Sequence, residues 1–153
     1  MAPADFLQLD RQLCFALHAA SRAMTQAYQP VLAPLGLTYP QYLVMLVLWE
    51  GDGVTVGELG QRLQLDSGTL TPLLKRLAAA GLVLRQRDDV DERVVRVSLT
   101  TAGRALRRKA VDVPRRLLCQ LALTVPELGR LRDQLTGLTA RLRHHDSIKE
   151  TSP

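Results

Sequence analysis

Residues Asp66–Leu99 read DSGTLTPLLKRLAAAGLVLRQRDDVDERVVRVSL. Asp66 and Ser67 are helix-capping types, with side-chain oxygens suited to the orphan N–H groups of a first turn. Leu70, Leu73, Leu74 and Leu77 recur at helical spacing and give an inward face, and Gly81 sits where a helix usually stops. Ser67, Thr69, Thr71, Lys75 and Arg76 are left on the outer face. Pro72 admits two placements: either the helix starts near Thr69, with Pro72 in its first turn, or one backbone bond is lost. Val83–Arg87 and Val94–Leu99 read as strands, and in the second Val95, Val97 and Leu99 alternate with Arg96 and Ser98, so one face is dry. Between them DDVDER is a polar turn carrying both signs of charge. A helix followed by a β-hairpin, with a short helix before it, is the outline of a winged helix-turn-helix.

The flanks extend that outline. Upstream, Val54-Thr55 suits a short strand, and Thr55 with Glu58 matches a capping box for the short helix VGELGQRLQL. Pro40 suits the first turn of the helix QYLVMLVLWE, which is apolar nearly all round and therefore expected to be buried. Asp5 to Tyr28 reads as one long helix with Phe6, Leu9, Leu13, Leu17, Ala20 and Met24 on one face. Cys14 lies about 100° round from that line, stacked with His18, Ser21, Thr25 and Tyr28. Pro30 and Pro34 bracket a connection ending at Gly36.

Downstream, Thr100 caps the helix TAGRALRRKAVDV. Pro114 kinks or interrupts it. It resumes through RRLLCQLAL, with Cys119 off the line of Leu117 and Leu121. Thr124 and Glu127 form a second capping box, and Leu128, Leu131, Leu135, Leu138 and Leu142 make a narrow a/d seam suited to packing on another helix. The polar end HHDSIKETSP, with His144 and His145, reads as a frayed, solvated tail. The expected fold is mainly α with a small β-hairpin, a single domain over residues 1–153.

Composition narrows the function. The 153 residues are 46% apolar and 23% charged, which excludes a disordered chain, and the net charge of +5 suits a polyanion such as DNA. No apolar run reaches the ~20 residues of a membrane span. The N-terminal MAPADFLQLDRQ lacks the pattern of a signal peptide, so a cytoplasmic location with two reduced thiols is expected. Two cysteines and three scattered histidines offer no metal-ligand spacing, so neither metal nor cofactor is expected.

The winged unit can read DNA. A helix N-terminus presents free N–H groups to phosphate, and small hydroxyl residues allow close approach to the major groove. Thr69 and Thr71 can meet base edges, Lys75 and Arg76 phosphate or guanine. Arg93 at the wing can enter a narrow minor groove, with Asp91 holding its guanidinium. The same residues also fit a solvated surface on a winged helix that docks protein. Cys14 has two readings as well: a small packed hydrophobe, or a nucleophile whose polar neighbours, His18 above all, stabilise the thiolate form.

Four pieces of the chain carry a resemblance. DVDER with VRVSLTTAG resembles the wing and following helix start of the MarR family of bacterial regulators. LDRQLCFAL around Cys14, LTYPQYLVMLVLWE around Tyr39 and LDSGTLTPLLKRL at the recognition helix narrow this to the organic hydroperoxide resistance regulators, over about Leu9 to Leu142. The resemblance implies a homodimer, with about 54–99 as the winged helix-turn-helix and about 5–36 and 101–145 as dimerisation helices. It makes Cys14 the peroxide-sensing cysteine and Tyr28 and Tyr39 the tyrosines that hydrogen-bond its sulfur, at least one from the partner subunit. Cys119 falls where two-cysteine members keep a resolving cysteine. Ser67, Thr69, Thr71, Lys75 and Arg76 match the recognition surface, and Asp91 and Arg93 the wing tip. The family motif has a tyrosine four residues after the sensing cysteine, where this chain has His18.

The expected function is a non-enzymatic repressor that releases double-stranded operator DNA when an organic hydroperoxide oxidises Cys14. Two competing classes predict different behaviour. A regulator gated by a small aromatic ligand would release DNA with aromatic acids and not with peroxide. A thiol peroxidase would consume peroxide continuously with a thiol reductant.

Overall fold

The structure is a computed structural model that describes residues 7–149. Asp5, Phe6, the side chain of His145 and residues 150–153 lie outside the described residues. By contact the chain divides into two compact units, Met1–Val113 and Pro114–Pro153. The fold is mainly helical with a small antiparallel sheet, as the sequence leads one to expect.

In the first unit a 3-10 turn, Leu9–Arg11, precedes α1, Leu13–Leu32. The long helix expected from Asp5 therefore begins later, because Gln12 is extended and breaks the path between turn and helix. It also ends later. Pro30 lies inside α1 rather than in a connection. One lost bond near the C-terminal end is tolerated there because Val31 and Leu32, just beyond, are anchored in the core. A second 3-10 turn, Ala33–Leu35, leads to Gly36 in the left-handed conformation.

α2, Tyr39–Glu50, starts at Thr38, whose hydroxyl accepts the Gln41 N–H while the Gln41 side chain accepts the Thr38 N–H. The expectation that α2 is buried holds: Tyr42, Val44, Met45, Val47 and Leu48 are all core residues. After β1, Val54–Thr55, the Thr55–Glu58 capping box opens α3, Val56–Leu63, as its spacing indicates. α3 ends on Gln64 at φ 58, and the chain turns so tightly that a Cβ on Gly60 would stand 2.9 Å from the Leu65 carbonyl oxygen. Arg62 on α3 pairs with Glu50 at the end of α2.

α4 runs Ser67–Ala79 from an Asp66 N-cap, so Pro72 lies inside it. That settles its placement: α4 forgoes one backbone bond, and the fully buried Leu70 and Leu74 on either side hold the turn in place. β2, Val83–Arg87, and β3, Val95–Leu99, form the hairpin, and the sheet order is β1-β3-β2. Val83 pairs with Leu99, Arg85 with Val97, and Val97 with Val54 of β1. Val97 and Leu99 face the core while Arg96 is exposed. Each fully buried Leu or Val contributes about 1.5–3 kcal/mol through removal from water.

α5, Thr101–Ala110, is capped by the Thr100 hydroxyl, which accepts the Gly103 N–H at 3.0 Å. Asp52 ties the sheet to it. Its Oδ1 accepts the Leu99 N–H at 2.7 Å and its Oδ2 pairs with Arg104 at 2.7 Å. α6, Val113–Leu121, follows a break at Val111 and Asp112, with Pro114 harmless in its first turn.

In the second unit α7 runs Val125–Lys149. Thr124 and Glu127 form the expected capping box. The helix continues through His144 to Lys149, where the polar sequence suggests fraying. Among the described residues no single helix is long and apolar enough to cross a membrane, and no cluster of metal-ligand type occurs.

Candidate DNA-binding surface and thiol site

The N-terminus of α4 is built around one carboxylate. Asp66 Oδ1 accepts the Thr69 N–H at 2.7 Å, and Oδ2 accepts the Thr69 hydroxyl at 3.2 Å. These bonds hold the Asp66 carboxyl below the usual carboxylate range. The Thr69 hydroxyl proton is thereby committed, while the residue itself stays exposed. Ser67, Thr69, Lys75 and Arg76 are exposed and Thr71 is half-buried. The five sequence-selected residues thus lie on one helix, with the two cations somewhat more than two turns from its positive N-terminal end.

The wing differs from expectation in one respect. Asp91 Oδ1 accepts the backbone N–H of Arg93 at 3.1 Å, where the sequence reading has it hold the Arg93 guanidinium. An aspartate two residues back reaches its own turn more easily than a neighbour's long side chain. The carboxylate–guanidinium pair of the wing is Asp88 with Arg96, at 2.8 Å. Arg96 comes first among the causes that hold the Asp88 carboxyl below its usual range, followed by the Val90 and Asp91 N–H groups. Arg96 also donates to the Gly53 carbonyl at 2.8 Å, locking β1 to the hairpin. Arg93 is left exposed at the tip.

The thiol residues lie apart. Cys14, near the start of α1, and His18, one turn on, are both exposed. Tyr28, fourteen residues after Cys14, is about 21 Å away along a helix that rises 1.5 Å per residue. Tyr28 is instead with Tyr39, ring centroids 4.6 Å apart, and with Tyr42 at 5.8 Å. Burial, then the neighbouring Tyr39 and Tyr42, push the Tyr28 phenol up to about 12. Burial raises Tyr39 and Tyr42 too. All three remain protonated hydrogen-bond donors at neutral pH. Cys119, in the second unit, is exposed on α6 beside a buried Leu117, as its place off the leucine line indicates.

Sequence reasoning passed over Tyr42, which reads as one more apolar residue of a buried helix. The spacing Tyr39-x-x-Tyr42 was the available signal, because residues three apart share a helix face.

A family model described as the transcriptional regulator SarA/Rot matches residues 26–109. The organic hydroperoxide resistance transcriptional regulator of Bacillus subtilis is 47% identical over 138 residues, covering 90% of this chain and 94% of that protein. The chain belongs to the MarR-type organic hydroperoxide resistance regulators. Another relative, the HTH-type transcriptional regulator TtmR of Methylorubrum extorquens, is 52% identical over 138 residues, 90% of this chain and 71% of that one. Among solved structures, reduced AbfR of Staphylococcus epidermidis bound to DNA matches at TM-score 0.78 and 34% identity, over 92% of this chain and 96% of that one. The disulfide form of AbfR matches at 0.63 and 34% identity, over 89% and 96%. The winged helix of these MarR-type regulators is the fold described above.

Proposed function

We propose that this regulator is a homodimeric repressor that binds double-stranded operator DNA and releases it when an organic hydroperoxide oxidises Cys14. The observation that carries this reading is an exposed thiol near the start of α1 and, about 21 Å along the same helix, Tyr28 in ring contact with Tyr39 of α2, too far from the thiol to meet it within one chain, in a member of this family. A second copy supplies what is missing: Tyr28 and Tyr39 of one subunit donate to the Cys14 sulfur of the other, with His18 one turn from the thiol. On α7 the apolar seam leaves Leu131, Leu135 and Leu142 exposed at 45%, 40% and 60%, and on α1 Leu13 is exposed at 62%; each offers apolar surface to a second copy. Residues of about 5–36 and 101–145 form the dimerisation region around one winged unit per subunit. The dimer sets two α4 helices about 34 Å apart in successive major grooves. Ser67, Thr69 and Thr71 meet bases, Lys75 and Arg76 meet phosphate or guanine, and Arg93, on a wing tip fixed by Asp91, enters the minor groove.

The Cys14 thiolate attacks the hydroperoxide, the O–O bond breaks, the sulfur is oxidised to sulfenic acid and the peroxide leaves as an alcohol after taking a proton. Cys119 of the partner then displaces water from the sulfenic acid to form an intersubunit disulfide. Each thiol pair turns over once, so the chemistry is a switch and not catalysis. Moving from mostly bound to mostly released requires about 5.5 kcal/mol of difference between the two states.

A DNA mobility shift with reduced protein, with and without an organic hydroperoxide, followed by a non-reducing gel, tests this. The expected result is release together with a disulfide-linked dimer band. Peroxide release in Cys14→Ser would refute the sensing role. An unchanged product and reversibility in Cys119→Ser would refute the resolving role.

A further inference from the structure

The tyrosine pair is the near end of a continuous series of contacts. Tyr28 meets Tyr42 at 5.8 Å, and Tyr42, only 2% exposed, meets Trp49 edge-on at 6.4 Å. The Trp49 indole N–H donates to the Gly103 carbonyl, in the first turn of α5, at 3.0 Å. Gly103 has no room to yield: a Cβ there would stand 2.1 Å from the Leu82 carbonyl oxygen. That oxygen accepts the Thr100 N–H at 3.1 Å, and the Thr100 hydroxyl donates to the Gly81 carbonyl at 2.6 Å. The Leu82 N–H in turn donates to the Leu77 carbonyl in the last turn of α4 at 3.1 Å. The series therefore ends at the corner joining the recognition helix to the wing.

We propose that Tyr42 and Trp49 are positioning residues that carry the state of the Tyr28–Tyr39 pair to the α4–wing corner. The proposal rests on the peroxide-sensing reading above. Close-packed interiors transmit displacement because they hold few voids to absorb it. A tyrosine pair that loses its thiolate acceptor shifts, Tyr42 follows, and the indole is drawn off the Gly103 carbonyl. The start of α5 then moves against Leu82, and the corner moves with it. Apolar contacts along α2 can slide; the Trp49 N–H bond is directional and is either made or broken. That gives the coupling a two-state element, which a chain of mere neighbours lacks.

The test uses the full-length dimer and reads three quantities separately: operator affinity of reduced protein, the rate of Cys14 oxidation by cumene hydroperoxide from intact mass, and operator affinity after oxidation. Trp49→Phe keeps a ring and removes the N–H. It should bind operator within about twofold of the parent and oxidise at the parent rate, yet lose at least tenfold less affinity on oxidation. Tyr42→Leu should behave likewise, and Tyr42→Phe, which keeps the ring, should restore the response. Trp49 is the only tryptophan, so its emission in the parent protein should change on oxidation. Full release in oxidised Trp49→Phe overturns the inference alone. So does loss of reduced-state affinity in that variant, which would mark Trp49 as part of the scaffold, or unchanged emission during parental release. Failure of the parent protein to release after Cys14 is oxidised overturns the sensing reading and takes the inference with it.

Discussion

Replacing Gly103 with alanine should destabilise the protein although alanine is the better helix former. The added Cβ would lie 2.1 Å from the Leu82 carbonyl oxygen, 3.1 Å from its carbon and 3.2 Å from Leu99 Cδ2. Backbone cannot rotate away as a side chain can, so α5 must retreat by about an ångström from the α4–β2 corner, an overpacking that costs about 1–3 kcal/mol. The retreat lengthens the Thr100 N–H bond to Leu82, the Thr100 hydroxyl bond to Gly81 and the Trp49 bond to Gly103. Each is worth about 0.5–1.5 kcal/mol. Helix propensity returns about 1 kcal/mol. The balance is a loss of about 3 kcal/mol, or a fall in Tm of about 6–12 °C at 2–4 °C per kcal/mol for a chain of this size.

Gly137 is the control. It lies in α7, off the leucine seam, with nothing within 4 Å of a built Cβ. Gly137→Ala should raise stability by up to about 1 kcal/mol. Both variants are to be melted by circular dichroism in reductant, at one protein concentration, since association makes Tm concentration-dependent. A Gly103→Ala protein melting with the parent, or above it like Gly137→Ala, would refute the close-approach argument.

Three further outcomes are expected. Lys75→Ala should weaken binding to all DNA sequences alike and flatten the slope of log K against log salt by about 0.9 per subunit, about 1.8 for a dimer, measured by fluorescence anisotropy; an unchanged slope would remove Lys75 from the phosphate contacts. Arg93→Ala should lose affinity for operators with A·T-rich flanks at the wing and little for G·C-rich ones, and equal losses would argue against minor-groove insertion. Tyr28 has its folded value raised from 10.0 to about 12, so its contribution to stability is whole below pH 10 and is lost as pH rises toward 12. Tyr28→Phe should accordingly show a smaller drop in urea midpoint between pH 8 and pH 11 than the parent, and an equal drop would contradict the shift.

What the sequence disclosed was local. The boundaries of α3, α4 and the hairpin follow from caps, leucine spacing and alternation within a few residues of each other, and the structure keeps them to within two residues, with α3 ending at Leu63 and β3 starting at Val95. Prolines were less legible. Pro30 looks like part of a connection and Pro72 leaves the start of its helix open, yet both sit inside helices, where the buried Leu32, Leu70 and Leu74 compensate one missing bond each. Apolar periodicity also overextends α1, since Leu9 keeps the helical spacing while exposed at 59% in a separate turn. The pairings that fix the winged unit were not legible at all. Asp52 with Leu99, Trp49 with Gly103 and Arg96 with Gly53 join residues more than forty positions apart. Each is a charged or polar side chain whose partner is a backbone group, and a backbone group leaves no mark in a sequence.

On the proposed peroxide-sensing reading, the spacing along α1 makes dimerisation part of the chemistry. A hydroxyl some 21 Å up the same helix cannot stabilise the Cys14 sulfur, and the Tyr28–Tyr39 stack at 4.6 Å keeps both phenols together at the far site. If the pair serves the thiol, it does so in a second copy, and an isolated subunit has neither a supported thiol nor a second recognition helix. Sensing and DNA binding should therefore fail at the same protein concentration on dilution. A Leu135→Glu change on the α7 seam should lower both the rate of Cys14 oxidation and operator affinity, whereas Lys75→Ala should lower operator affinity alone. Cys14 oxidation at the parental rate in a Leu135→Glu protein shown to be monomeric by light scattering would mean that the tyrosines do not act on the thiol across subunits.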